Sequence, residues 1–236
     1  GRTASFLNRY RIAFDNGDFK NWAKWRTGSM REEIPNHYAL GYTLLSGMRY
    51  FYDADMYMAE TLDYASRHPL DPFLKNKVTK EHTGMGLRKT FADIALKYNE
   101  MWQQEAEARA PWTETDSIIE TPERYTTFTS LTAAHGGMYA IRRGMALTSE
   151  IVFISDSGEI STLCPFSSGT GKIEYTAGKI WWGENVNDPR WTLEGSSSIR
   201  YMDPADGKKH TLIKGEKLFN PTVCSDGSLL AVAYYA

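Results

Sequence analysis

Cysteine is nearly missing from this chain: Cys164 and Cys224 are the only two among 236 residues. That excludes a disulfide-built scaffold and a zinc site made of thiolates. No stretch approaches the ~18 consecutive apolar residues that would cross a bilayer, so no membrane span is expected. Neither sign of charge dominates, since 27 Lys and Arg stand against 29 Asp and Glu for a net charge of −2. The electrostatic footprint of a nucleic-acid or anionic-membrane partner is therefore absent. The histidines are His37, His68, His82, His135 and His210, and no two lie four residues apart, so the chain contains no His-Glu-x-x-His helix. It also contains no Gly-x-Ser-x-Gly elbow and no phosphate-binding P-loop. Ser167-Ser168-Gly169-Thr170-Gly171-Lys172 has the residue types of such a loop at the wrong spacing, and reads as a flexible connection.

What is present belongs to a folded protein. Apolar residues make up 42% of the chain and aromatics 13%, which excludes wholesale disorder. At ~100–200 residues per domain the length allows one large domain or two small ones. The chain starts Gly1-Arg2-Thr3 and runs out in Leu229-Leu230-Ala231-Val232-Ala233-Tyr234-Tyr235-Ala236, which reads as a strand. It is expected to be part of a longer protein.

The grammar changes near the middle, and the fold class expected is α + β in two modules. Residues 1–110 read as an all-α helical bundle. Phe6, Leu7, Tyr10 and Phe14 recur at helical spacing before Asn16-Gly17-Asp18, and a short segment holds Trp22 and Trp25. His37 to Tyr52 is predicted to be a helix apolar on all sides, and so to lie in the middle of a helical layer. Gly41 and Gly47 each cost that helix ~1 kcal/mol of propensity, tolerable where a backbone or ligand comes close. Asp55 is expected to cap a helix ending at Arg67, followed by a short helix from Pro72 to Lys80. A longer helix from Leu87 to Arg109 carries the stripe Phe91, Ile94, Ala95, Tyr98 and Trp102.

Residues 111–122 read as a linker, and 123–236 as short strands with turns between them. Strands are predicted near Thr126–Ala133, Met138–Arg143, Glu150–Ser155 and Glu159–Cys164. A second set follows near Lys172–Thr176, Lys179–Gly183, Ser197–Met202 and Lys208–Ile213, and a third set starts at Phe219. Four strands per ~45 residues is the period of a propeller blade. An antiparallel β-propeller is expected, incomplete, with two blades and the start of a third.

Two segments carry resemblances. Asn220-Pro221-Thr222-Val223-Cys224-Ser225-Asp226-Gly227-Ser228 resembles the N-P-x-x-S-P-D-G-S signature of TolB-like, WD-repeat-like propellers, departing from it at Cys224-Ser225. Trp25-Arg26-Thr27-Gly28-Ser29 and Ile34-Pro35-Asn36-His37-Tyr38-Ala39-Leu40-Gly41-Tyr42 resemble the C-terminal helical part of peptidase-MA-like, gluzincin-type zinc metallopeptidases. The order of modules matches secreted bacterial proteins in which such a domain precedes a TolB-like propeller. The resemblance implies a hydrolase acting on a peptide or protein, zinc in the parent protein, and a secreted, periplasmic or cell-surface location. It places the zinc ligands outside this chain, so no cofactor is expected here and the chain alone is expected to be inactive. Tyr38-Ala39-Leu40-Gly41 matches the spacing of the gluzincin Tyr-x-x-Gly step, which implies Tyr38 as a transition-state stabiliser that donates to the oxyanion. Leu40 stands where that family carries lysine. The other reading of Tyr38 is a core tyrosine with a satisfied hydroxyl. The alternative for the whole chain is a non-catalytic propeller scaffold that binds protein or glycan beside a degenerate peptidase-like domain.

The remaining polar and aromatic residues have plainer readings. His37 is expected to satisfy a helix start, and Glu81-His82 lacks a partner for a metal. Trp181, Trp182 and Trp191 are read either as an aromatic platform or as filling between blades. Asp156, Asp203, Asp206 and Asp226 are read as turn residues, Arg142-Arg143 as an exposed strand end, and the two cysteines as buried free thiols.

Overall fold

The computed structural model describes residues 4–17, 19–167, 169–191 and 194–234. Among the described residues the fold is α + β, with six helices in the N-terminal half and antiparallel sheets in the C-terminal half. The chain divides into two compact units, Gly1–Glu114 and Thr115–Ala236.

In the first unit the helices are α1 (Ala4–Asp15), α2 (Trp22–Thr27), α3 (His37–Tyr52), α4 (Tyr57–Arg67), α5 (Leu74–Thr83) and α6 (Leu87–Arg109). The stripe on α6 is buried as its spacing requires: Phe91, Ile94, Ala95, Tyr98 and Trp102 all face the core. They meet Tyr10, Trp25 and Met48 in a core rich in rings. Tyr10 and Trp25 stand 4.8 Å apart, and Tyr98 stacks on Trp102 at 5.6 Å. α3 packs closely on α6 because position 47 has no side chain. A Cβ at Gly47 would lie 2.2 Å from Ile94 Cγ2. Gly41 has no heavy atom within 4 Å of the same construction, so close approach explains only one of the two glycines.

Three expectations for this unit are corrected. α3 is not buried all round: Tyr38, Leu45 and Tyr50 are exposed, Ala39, Leu40, Thr43, Gly47 and Met48 are buried, and Tyr42, Leu44, Phe51 and Tyr52 pack half-buried against the core. Asp55 does not cap α4. Met56 occupies that position without a side-chain hydrogen bond, and the Asp55 carboxylate pairs with Arg49 at 2.7 Å instead. The helix expected from Pro72 to Lys80 runs from Leu74 to Thr83, because Asp71 turns the preceding loop by accepting the Phe73 N–H at 2.8 Å.

In the second unit, β1 (Thr126–Ala134), β2 (Gly137–Gly144), β3 (Leu147–Ser155) and β4 (Ile160–Pro165) form one antiparallel sheet in chain order. β5 (Gly169–Thr176), β6 (Lys179–Val186), β7 (Ser196–Asp203) and β8 (Lys208–Glu216) form a second. β9 (Leu218–Val223) and β10 (Leu230–Tyr234) pair as a third. None of the three is closed on itself among the described residues. The segment read as a loop at 167–172 is strand from Gly169 onward, while Ser168 lies outside the described residues.

Period-two alternation sorts the side chains of the first sheet. Tyr139, Ile141 and Ile151 pack with Ile173, Ile180, Trp182 and Met202 of the second sheet. Ala140, Val152 and Ile154 point the other way, toward Ile119 and Phe128. The first strand of each sheet carries a left-handed residue and a register shift: Ser130 at φ 54° in β1, Gly171 at φ 74° in β5 and Asn220 at φ 51° in β9. These strands neighbour each other, β1 against β5 and β5 against β9. The bulge on β1 turns the Ser130 hydroxyl onto β5, where it accepts the Ile173 N–H at 2.7 Å. The passage from the second sheet to the third is pinned by Ser197, which is 1% exposed. Its hydroxyl accepts the Leu218 N–H at 2.7 Å and lies within hydrogen-bond reach of the Glu216 and Leu218 carbonyls.

Candidate functional site

The start of α3 is built by Pro35 and Asn36. Asn36 is extended and its side-chain oxygen accepts the Ala39 N–H at 3.1 Å, which satisfies one of the free donors of the first turn. Asn36, rather than His37, is therefore the capping residue. His37 and Tyr38 follow in that first turn with their rings 4.2 Å apart. Tyr38 is 66% exposed, so it is not a core tyrosine, and its hydroxyl has no hydrogen-bond partner among the described residues.

One turn further along, α3 borders a cleft of about 700 Å³ shared with α1, α4 and α6. Tyr42, Leu45, Tyr50, Tyr57, Met58 and Tyr98 line it, and Tyr38 does not. Ser46 sits in its wall, accepting from the Tyr98 hydroxyl at 2.8 Å and donating to the Tyr42 carbonyl at 2.6 Å. The Arg49–Asp55 pair stands beside it, both side chains well exposed. Tyr42 packs half-buried against the core at the edge of this cleft, while Leu45 and Tyr50 are exposed.

The histidines hold no metal site. His82 Nε2 lies 2.5 Å from Glu60 Oε2, and its ring stands edge-on to Tyr57. Among the described residues no group of three His, Cys, Asp or Glu side chains is placed to hold a metal ion. The described residues therefore do not fit a zinc centre.

In the second unit the tryptophans have separate roles. Trp182 is fully buried between the first two sheets, so it is filling. Trp181, on the opposite face of β6, begins a row with Tyr201 at 4.9 Å, and His210 stacks on Tyr201 at 4.8 Å. Trp191 is 63% exposed and apart from both. Beside Trp182 a carboxylate is buried: Glu184 Oε2 lies 2.7 Å from Arg200 Nε, 3.3 Å from the donating Trp182 Nε1 and 3.7 Å from Lys209 Nζ. A buried carboxylate needs such cations, because desolvation otherwise drives it to its neutral form.

Arg142 and Arg143 are not an exposed strand end. Arg142 donates from Nε to Glu150 at 2.7 Å, and Arg143 lies over the Phe166 ring. Asp203, Asp206 and Asp226 each accept a backbone N–H two residues on, at 2.9, 2.7 and 3.0 Å. Asp226 also accepts from the Cys224 thiol and the Ser228 hydroxyl, and these bonds hold its carboxyl at about 2. Both cysteines are free. Cys164 is buried and Cys224 half-buried, and burial pushes the Cys164 thiol up. Among the described residues no helix is long and apolar enough to cross a membrane. Comparisons of the chain with protein-family models, curated proteins and solved structures return no match.

Proposed function

We propose that the second unit is the opening part of a TolB-like β-propeller and that this chain acts as a non-catalytic scaffold binding protein or glycan. The observation that carries the reading is the repeated first strand. β1, β5 and β9 each hold a left-handed bulge residue, each opens its sheet, and each neighbours the next. Consecutive antiparallel sheets stacked with their first strands adjacent are the arrangement a radial blade array requires. The non-catalytic part rests on chemistry: among the described residues no group of three His, Cys, Asp or Glu side chains gathers as a metal-ligand set, and the one thiol joined to a carboxylate, Cys224, faces an Asp226 held at about 2, too weak a base to draw its proton.

Incubating the chain with one equivalent of zinc and a casein substrate tests this. The expected result is no zinc retained at stoichiometric level after dialysis and no chelator-sensitive hydrolysis. Retention of one zinc per chain together with chelator-sensitive hydrolysis would overturn it.

A second reading is favoured by one observation. The Tyr38 phenol is presented to solvent on a firmly capped first turn, unused by the core. In a gluzincin-type peptidase whose metal ligands come from other residues, that hydroxyl would donate to the oxyanion. Tyr38→Phe in such a longer protein would then lower kcat by about 10²-fold, the cost of one oxyanion donor, with KM little changed. Equal kcat in the two proteins would dismiss that role.

A further inference from the structure

A second cavity, of about 460 Å³, opens in the first unit between the segment that enters α2 and the start of α6. Its size falls within the ~300–1,000 Å³ of small-molecule sites. Among the described residues it shares no lining residue with the cleft beside α3. Three rings form its apolar wall: Phe19, Trp22 and Phe91. The Trp22 and Phe91 rings stand 5.0 Å apart, and Phe91 is buried, so this wall is a face of the aromatic core.

The remaining chemistry of the cavity is that of donors. Asn21, Arg88 and Lys89 are the other side chains with polar ends, and the described lining holds no carboxylate. Asn21 spends its side-chain oxygen on the Lys24 N–H at 3.1 Å, which leaves its NH2 group to donate. The charged ends of Arg88 and Lys89 make no ion pair or hydrogen bond among the described residues. The nearby acids are engaged elsewhere. Asp93, the one acid in the first two turns of α6, accepts from the Tyr52 hydroxyl at 2.5 Å and pairs with Lys97 at 2.8 Å. Glu32 pairs with Lys20 and Lys24. Nor do the two cations serve their own helix. They stand in its first turn, which carries no acid, where the helix dipole disfavours positive charge.

We propose that this cavity binds a small aromatic carboxylate. The ring lies against Trp22 and Phe91, and the carboxylate meets the Arg88 fork, with Lys89 and the Asn21 NH2 as further donors. Charge selects this occupant, since a neutral sugar would leave two cations unused. Shape selects a single small molecule over a protein segment. The described lining comes from two short stretches, 19–22 and 88–92, which make a seat and not a groove that runs on. The site lies wholly within the first unit, so it stands independently of the propeller reading.

Equilibrium dialysis of the whole chain against cinnamate tests this, with cinnamamide as the uncharged match. The expected result is saturable binding of one cinnamate per chain, about tenfold tighter than the amide. Arg88→Gln combined with Lys89→Gln should lower cinnamate affinity to that of the amide, with the far-UV circular dichroism spectrum unchanged. Equal affinity for acid and amide overturns the proposal, as does the lack of saturable binding. So does a preference that survives the double variant and is lost in Arg49→Gln, which would move the ligand to the cleft beside α3. An acetylated Glu-Trp-Glu peptide that binds more tightly than cinnamate, and loses that binding in the double variant, would also overturn it and assign the cavity to a protein segment.

Discussion

Substituting alanine at Gly47 and at Gly41 should change stability in opposite directions. Both glycines lie inside α3, so each substitution gains about 1 kcal/mol of helix propensity. The surroundings differ. At Gly41 the new methyl meets no heavy atom within 4 Å, and the gain is kept. At Gly47 it lies 2.2 Å from Ile94 Cγ2 and 3.0 Å from two further Ile94 carbons. Ile94 is fully buried and branched at Cβ, so it cannot rotate one methyl away without driving the other into its neighbours. Overpacking of this kind costs about 3 kcal/mol, the upper part of the usual range. Gly47→Ala should therefore destabilise the helical unit by about 2 kcal/mol and Gly41→Ala should stabilise it by up to about 1 kcal/mol. Because propensity is common to both, the gap of about 3 kcal/mol reports the steric contribution alone. Urea unfolding followed by far-UV circular dichroism measures both. Ile94→Ala in the Gly47→Ala background should recover at least 1 kcal/mol relative to the sum of the single changes. Equal effects at the two glycines, or strict additivity with Ile94→Ala, would refute the close α3–α6 packing.

Trp182→Ala should cost the strand-rich unit about 3–5 kcal/mol, because a fully buried ring is lost from between two sheets. A loss below about 1 kcal/mol by denaturant unfolding would show that those sheets do not pack there. An aromatic disulfide reagent should label Cys224 in the native chain well before Cys164, since Cys164 is buried with a raised thiol. Equal labelling rates would contradict the buried placement. The Asp226 carboxyl is held at about 2, below the usual ~4 of an unfolded aspartate. Its contribution to stability is therefore complete above about pH 4 and lost as pH falls from there toward 2. Asp226→Asn should flatten that part of an acid titration of the strand-rich unit; an unchanged profile would remove the carboxylate from the account.

Much of the local structure was legible because short-range rules govern it. Asp203 and Asp206 accept backbone N–H groups two residues on, as Asp in turns does. The α6 stripe follows from 3.6-residue periodicity and packs as spaced. What was not legible depends on tertiary neighbours. Nothing in the chain says that Asp55 spends its carboxylate on Arg49 rather than on a helix start. Two glycines six residues apart in one helix look alike until Ile94 arrives beside one of them. The left-handed bulges at Ser130 and Asn220 carry no glycine and leave no compositional mark. The cleft beside α3 was hidden for a related reason: tyrosine and leucine read as buried whether they fill a core or line an opening. Tyr38 stands one turn from that cleft and outside its lining, a separation that no spacing rule reveals.

The Ser197 hydroxyl has a mechanical consequence. It ties the chain where β8 hands over to β9, gripping Leu218 and reaching the Glu216 carbonyl within a distance of 2.9 Å or less. A pull applied at the C-terminal side would unzip β10 and then β9 before the load reached this knot. The second sheet would share that load earlier, because β9 lies against β5, β6 and β7 and the Thr222 hydroxyl donates to Glu174 on β5 at 3.1 Å. Ser197 and these contacts together separate a peripheral hairpin that can be peeled from an inner stack that resists.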